Sequence, residues 1–248
     1  MNFAITHEFR YAYDSPVRLS TQYLRLMPRD TTRQKVLAWK LDTPMTALRT
    51  TDGYGNVLHV LTIDKPASEI AICARGRVQT SPAIDEASDF TGTPLPVLLF
   101  LRETALTRAT EPLVSFAHKF RPKAAAGDGL LELAAAIRAR DPEGSAADAV
   151  HAFITCCRRL GVPARYVSGY VFSRGKANGQ ATLHAWAEAW SGGRWRSFDI
   201  ARGEPAGESH IKIAVGADYL DACPVRGVRV GGGVETLKAQ ATVEATQQ

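Results

Sequence analysis

The fold turns on one stretch: Leu183-His184-Ala185-Trp186-Ala187-Glu188-Ala189-Trp190, then Ser191-Gly192-Gly193-Arg194, then Trp195-Arg196-Ser197-Phe198-Asp199. In a strand, side chains alternate between faces, so His184, Trp186, Glu188 and Trp190 share one face and Ala185, Ala187 and Ala189 the other. A face of alanines lets a helix pack close. The glycines between the two runs signal a hairpin. A loop at Ser191-Gly192 sets His184 directly opposite Asp199, and a loop at Gly192-Gly193 sets Asp199 on the diagonal. Either even loop keeps the two on one face. A carboxylate beside an imidazole orients the ring and stabilises its cation. Spacing alone leaves a catalytic and a merely structural pair both open.

Working outward, Ala146, Ala149, Val150, Phe153, Cys157 and Leu160 recur at helical spacing, and Gly161-Val162-Pro163 stops that helix. Two shorter helical patterns precede it, from Pro112 to Phe120 and from Leu130 to Ile137. Strand-like runs follow at Ala164–Phe172, His210–Val215 and Val234–Val243. Before residue 80, strand-like runs cover Phe3–Tyr11, Val17–Met27, Lys35–Leu41, Val57–Ile63 and Glu69–Val78, punctuated by Gly, Pro, Asn and Asp. Pro82, Pro94 and Pro96 sit among small polar residues and mark a linker. The expected class is therefore α+β: an N-terminal antiparallel β module over 1–80, a linker over 81–105, and a core over 106–248. That core packs helices on an antiparallel sheet and ends in a β segment.

The composition excludes several classes. The chain has 248 residues, 45% of them hydrophobic and 22% charged, which is globular rather than disordered. The formal charge is +5, but no run of five basic residues occurs, so a nucleic-acid partner is not expected. No apolar stretch approaches the roughly 18 residues of a membrane span, and the first ten residues do not read as a secretory leader. The cysteines Cys73, Cys156, Cys157 and Cys223 form no Cys-x-x-Cys, which argues against a disulfide scaffold or zinc spacing and points to a reducing cytoplasm. No metal, dinucleotide or P-loop motif is present, and no cofactor is expected.

An imidazole–carboxylate pair needs a nucleophile, and a thiol at the N-terminus of a packed helix is the chemically suited place. The long helix opens Gly144-Ser145-Ala146-Ala147-Asp148, without a cysteine. Ser145-x-x-Asp148 reads as an N-cap. Cys156 and Cys157 read as buried core thiols, His151 as structural support, and Arg165 and Tyr166 as packing and surface residues. Cys223 cannot be placed.

Here a resemblance becomes specific. Cys156-Cys157-Arg158-Arg159-Leu160-Gly161-Val162-Pro163-Ala164-Arg165-Tyr166-Val167-Ser168-Gly169-Tyr170, His184-Ala185-Trp186-Ala187-Glu188 and Trp195-Arg196-Ser197-Phe198-Asp199 resemble the core of bacterial transglutaminase-like proteins. Tyr11-Ala12-Tyr13-Asp14-Ser15-Pro16-Val17 and Leu24-Arg25-Leu26-Met27-Pro28-Arg29 resemble the β module that precedes that core. The segment from His210 to Tyr219, with Pro224-Val225-Arg226-Gly227-Val228, is similar too. The resemblance implies a papain-like Cys-His-Asp machinery acting on a Gln side-chain amide or a peptide bond, with His184 as the imidazole and Asp199 as the carboxylate. Active relatives open the helix with Gly-x-Cys-x-Asp-x-x-His. This chain matches at Gly144, Asp148 and His151 but has Ala146 in the cysteine position, and Ala217 replaces an arginine that relatives commonly carry.

The implied expectation is a pseudoenzyme that keeps a peptide- or protein-binding cleft, or that partners an active relative, with no nucleic acid or membrane involved. The alternatives are an active acyltransferase or cysteine-protease-like hydrolase using a different nucleophile, and a scaffold whose cleft is vestigial. Oligomeric state is not legible.

Overall fold

The computed structural model describes residues 1–82, 85–86, 95–123, 127–172 and 182–246. Its spine is β1 (Asn2–Met27), a 26-residue strand. Odd positions from Phe3 to Tyr13 are buried, and Val17 after the exposed Asp14–Pro16 stretch, then even positions from Ser20 to Leu26. The change of phase coincides with a register shift between Val17 and Leu19, because one extra residue turns every later side chain to the other face. Pro16 lies where the pairing with β5 is irregular, between Ala12 and Val17, so the expected break there is an irregularity within one strand. Proline lacks a ladder donor, and an irregularity of this kind is where a strand tolerates it.

Around β1 stand β2 (Gln34–Asp42), β3 (Leu48–Thr51), β4 (Val57–Ile63) and β5 (Ala67–Thr80). Chain order continues with β6 (Asp85–Glu86), α1 (Glu111–His118), α2 (Gly127–Arg140) and α3 (Ala146–Arg159). Then come β7 (Ala164–Val171), β8 (Thr182–Ser191), β9 (Arg194–Asp199), β10 (Glu204–Pro205) and β11 (His210–Gly216). The short α4 (Tyr219–Ala222), β12 (Val225–Gly231) and β13 (Glu235–Thr246) close the chain. The arrangement is α+β: a seven-stranded antiparallel sheet, then helices and a six-stranded antiparallel sheet in the order β10-β9-β8-β7-β11, with β6 on β9.

Two features differ from the expected division of the chain. First, β12 and β13 both pair with β1, so residues 225–246 return to the first sheet rather than extending the second. The N-terminal half of β1 lies between β5 and β13, and its C-terminal half between β4 and β12. Second, much of the expected linker, 83–84 and 87–94, lies outside the described residues, while 95–105 is folded. Val97–Leu101 is a 3₁₀ turn that buries Phe100. The buried Arg158 holds it, donating from Nε to Phe100 O at 2.8 Å and from Nη1 to Thr107 Oγ1 at 2.7 Å. Hydrophobic periodicity gives no sign of such polar anchoring.

The long helix forms as its pattern requires. Ser145 Oγ accepts the Asp148 N–H at 3.1 Å and donates to Asp148 Oδ2 at 2.7 Å. Gly161, at φ +78°, ends the helix in the left-handed region that glycine tolerates. Val150, Phe153, Ile154, Cys156 and Cys157 are buried against Tyr166, Ala187, Ala189 and Phe198. Each large side chain buried this way is worth about 1.5–3 kcal/mol. Alanines on β8 leave room for the helix, and Phe153 meets Phe198 with ring centroids 5.3 Å apart.

The sheets are fastened together by two carboxamides. Gln34 donates to Lys212 O at 2.9 Å and accepts the Lys212 N–H at 2.8 Å. Asn56 donates to Val215 O at 2.7 Å and accepts the Val215 N–H at 2.8 Å. Each side chain thus satisfies the backbone of β11, the edge strand of the second sheet, as a neighbouring strand would. Phe3, Ile5, Val78, Tyr170, Ile211, Ile213 and Val243 form an apolar cluster drawn from both sheets.

Candidate active site

β8 and β9 pair as Ala187↔Phe198 and Trp190↔Trp195, which makes Gly192-Gly193 the loop. Both glycines have positive φ, 63° and 78°, as a tight primed hairpin turn demands. In this register Asp199 is diagonal to His184, and His184 Nε2 lies 2.7 Å from Asp199 Oδ2. The Asp199 side chain is fully buried, while that of His184 keeps 13% exposure. The imidazole is therefore the member of the pair that meets solvent.

A second histidine reaches the same oxygen. His210 Nε2 is 3.0 Å from Asp199 Oδ2, and the ring centroids of His184 and His210 are 6.0 Å apart. The Arg202 backbone N–H donates to Asp199 Oδ1 at 3.2 Å, and Arg202 Nε lies 3.5 Å from Oδ2. Burial alone would raise the pKa of Asp199. The hydrogen bonds from His184 and His210 outweigh it and hold the carboxyl well below its usual range. Asp199 is thus a fixed anion. Burial lowers the His210 pKa, and its bond to Asp199 offsets that only in part.

Trp186 fills the core beside this cluster. It is fully buried, with its ring centroid 5.3 Å from that of His210. A Cβ added at Gly169 would meet Trp186 Cη2 at 2.4 Å and Ile211 O at 2.1 Å, so only glycine lets the indole lie there. Trp190 is half-buried against Trp195 at 5.4 Å. Glu188, fully buried on the same strand, accepts from Arg165 Nε at 2.7 Å and lies 2.5 Å from Lys212 Nζ. Arg165 stacks over Trp195 at 4.0 Å. Arg165 and Tyr166 are therefore interior residues, with 1% exposure each, which corrects the expected surface role. A strand-start arginine reads as exposed until its buried counter-charge is known.

The structure brings together His184 and Asp199 and adds His210. Ala146 is not part of that hydrogen-bonded set. It opens α3, half-buried, on the stripe that Val150, Phe153 and Cys157 continue at helical spacing. That stripe packs on the side of β8 that carries Ala185 and Ala187, whereas His184 projects from the alternate side with Trp186. His151 accepts the Tyr219 N–H at 3.2 Å and packs on Tyr166 at 5.1 Å. Ala217 O accepts from Arg158 Nη2 at 2.6 Å.

The thiols lie elsewhere. Cys156 and Cys157 are fully buried. Burial pushes the Cys156 pKa up to about 12 and that of Cys157 well above its usual value. Both are poor nucleophiles near neutral pH. Cys73 lies in β5, and burial raises its pKa also. Cys223, in the turn before β12, donates from Sγ to Val225 O at 3.1 Å.

His184, Asp199 and His210 offer ligating atoms within 4.8 Å of one another, the one such histidine-bearing group among the described residues. The sense of one hydrogen bond weighs against a metal there. The Gly207 N–H donates to His210 Nδ1 at 3.1 Å. A histidine that binds metal through Nε2 needs a proton on Nδ1, facing an acceptor rather than a donor.

No local signal in the sequence marked His210 as anything but the start of a strand. It reaches Asp199 from β11, which is separated from β9 by β7 and β8 in the sheet order.

Residues 3–79 match the family described as bacterial transglutaminase-like N-terminal region, and residues 114–200 match the transglutaminase-like superfamily. An uncharacterized protein of Mycobacterium leprae is 29% identical, the alignment covering 94% of this chain and 95% of that one. Another from Mycobacterium tuberculosis is 28% identical, over 91% and 87%. Among solved structures, a Cytophaga hutchinsonii protein described as a "Putative Cysteine Protease" superposes with TM-score 0.75 at 22% identity, covering 100% of this chain and 92% of its own. That likeness shows the fold. The two family matches identify residues 3–79 as a bacterial transglutaminase-like N-terminal region and residues 114–200 as part of the transglutaminase-like superfamily.

Proposed function

We propose that this chain is a transglutaminase-like pseudoenzyme. It keeps the His184–Asp199 pair in a cleft that binds a peptide or protein, and its nucleophile position is left vacant at Ala146. The observation that carries this reading is a formed imidazole–carboxylate pair in a chain whose long helix opens on an alanine. The described cysteines support it. Cys156 and Cys157 are core thiols, and burial also raises the Cys73 pKa, the opposite of what a nucleophile requires. The protein's work is then recognition, either of a peptide segment or of an active relative. Unpaired cysteines fit a reducing cytoplasm, and no helix among the described residues is long and apolar enough to cross a membrane.

The wild-type protein is expected to show neither amine incorporation nor peptidase activity above background. Ala146→Cys creates a thiol at a helix N-terminus. If that terminus overlooks His184 past the start of β8, the dipole and the imidazole lower its pKa together. Iodoacetamide near neutral pH should then label it about tenfold faster than an ordinary thiol, and His184→Ala should remove the advantage. A new thiol that reacts like an ordinary cysteine would mean that the alanine side of β8 keeps residue 146 away from the pair. Turnover by the unmodified protein that survives His184→Ala would defeat the reading outright.

A further inference from the structure

His210 is the one buried histidine near the site with no place in the proposed mechanism, and its hydrogen bonds determine its protonation. The ring is 1% exposed. The Gly207 N–H points at Nδ1 from 3.1 Å, and a backbone N–H can only donate. Nδ1 is therefore the bare, accepting nitrogen, and the ring proton is on Nε2. That proton points at Asp199 Oδ2, 3.0 Å away.

The same oxygen is contested. His184 Nε2 approaches it at 2.7 Å and Arg202 Nε at 3.5 Å. Arg202 is one-third exposed, follows Asp199 by three residues and also lies 3.6 Å from Glu204 Oε1, so its guanidinium competes with His184 for the same carboxylate oxygen. The charged and titratable groups facing His210 are Asp199, His184 and Arg33, whose Nη1 lies 3.4 Å from His210 O.

We propose that His210 is a positioning residue: a neutral imidazole, its tautomer set by Gly207, that donates to Asp199 Oδ2 and holds the carboxylate on His184 against the pull of Arg202. This deepens the reading of His184 and Asp199 as the site, and it does not depend on residue 146. It also assigns the three-residue cluster to carboxylate orientation rather than to metal binding, because the Gly207 donor forbids the Nδ1–H that an Nε2-bound metal requires.

The test is nitrogen-15 NMR of the histidine rings in the full chain. His210 should show a protonated Nε2 and a bare Nδ1, and one equivalent of Zn²⁺ should leave both ring signals in place. In His210→Phe, the His184 Nε2 proton should lose its downfield hydrogen-bonded position and exchange with solvent about tenfold faster, as expected when a charge-assisted bond is freed. His210→Gln can accept from Gly207 and donate to Asp199, so it should restore both signals. Arg202→Gln placed in the His210→Phe background should restore them in part. The Gln variant keeps the test decisive if the Phe variant does not fold.

The proposal is overturned if His210 carries its proton on Nδ1, if Zn²⁺ shifts both rings together, or if the His184 proton is indifferent to residue 210 in a folded variant. None of these readouts involves the thiol of Ala146→Cys. The vacant-nucleophile reading can therefore fail while this one stands.

Discussion

His7 lies where the two sheets meet. Its Nδ1 is 3.0 Å from the hydroxyl of Tyr170 and its ring centroid 3.9 Å from that of Phe9. Burial lowers its pKa to about 4. The unfolded chain, with a histidine pKa near about 6.5, takes up the proton first. The stability that a neutral His7 contributes is complete above about pH 6.5 and is lost as the pH falls toward 4, roughly 3 kcal/mol in all. His210, His151 and His59 shift in the same direction, burial being the first cause in each. His7→Asn keeps a polar partner for Tyr170 but cannot titrate. Urea unfolding at several pH values should show the slope of stability against pH between 4 and 6.5 reduced by about one proton, near 1.4 kcal/mol per pH unit. An unchanged slope would mean that His7 is not neutral in the folded protein.

Among the elements, β11 is held in an unusual way. Its free edge receives two amide side chains from the first sheet, Gln34 at Lys212 and Asn56 at Val215, in place of another strand. Asn56 is itself fixed by Asp52, whose Oδ2 accepts from Asn56 Nδ2 at 3.0 Å and whose Oδ1 accepts the Asn56 N–H at 2.9 Å. Asn56→Ala removes both bonds to Val215 and leaves a buried N–H and carbonyl unpaired. Each unpaired group costs about 1–3 kcal/mol, so a loss of about 2–4 kcal/mol in urea-derived stability is expected. A loss below about 0.5 kcal/mol, the size of an ordinary surface substitution, would show that this contact does not hold the sheets together. Because β11 also carries His210, the same variant should broaden the His210 ring signal.

For the molecule as a whole, the return of the chain end decides how it unfolds. β1 is paired on both sides along most of its length, by residues that follow it directly and by residues from the far end of the sequence. Along the chain, the second sheet and its helices lie between the parts of the first sheet. Calorimetry should therefore give one cooperative transition. A chain ending at residue 222 should lose that cooperativity, since it strips one side of β1 and leaves its backbone unpaired. Two separated transitions in the full chain would indicate that the sheets melt independently, and would restore a boundary near residue 80 as a thermodynamic one.

Features that depend on near neighbours in the chain are legible in the residues alone. The alternation in 183–199 was enough to put His184 and Asp199 on one face for either hairpin loop. The 3.6-residue pattern placed α3, and Ser145 with Asp148 marked its start. Only the tertiary structure decided the rest, because those outcomes depend on residues far apart in the chain. The choice of Gly192-Gly193 as the loop followed from the pairing of β8 with β9. The interior place of Arg165 required the carboxylate of Glu188 and the ring of Trp195. His210 had to arrive from β11 before it could share Asp199. The last two strands complete the first sheet because β4 and β5 cover only one edge of each half of β1. A hydrogen bond between residues this distant carries no periodicity, so no local pattern announces it.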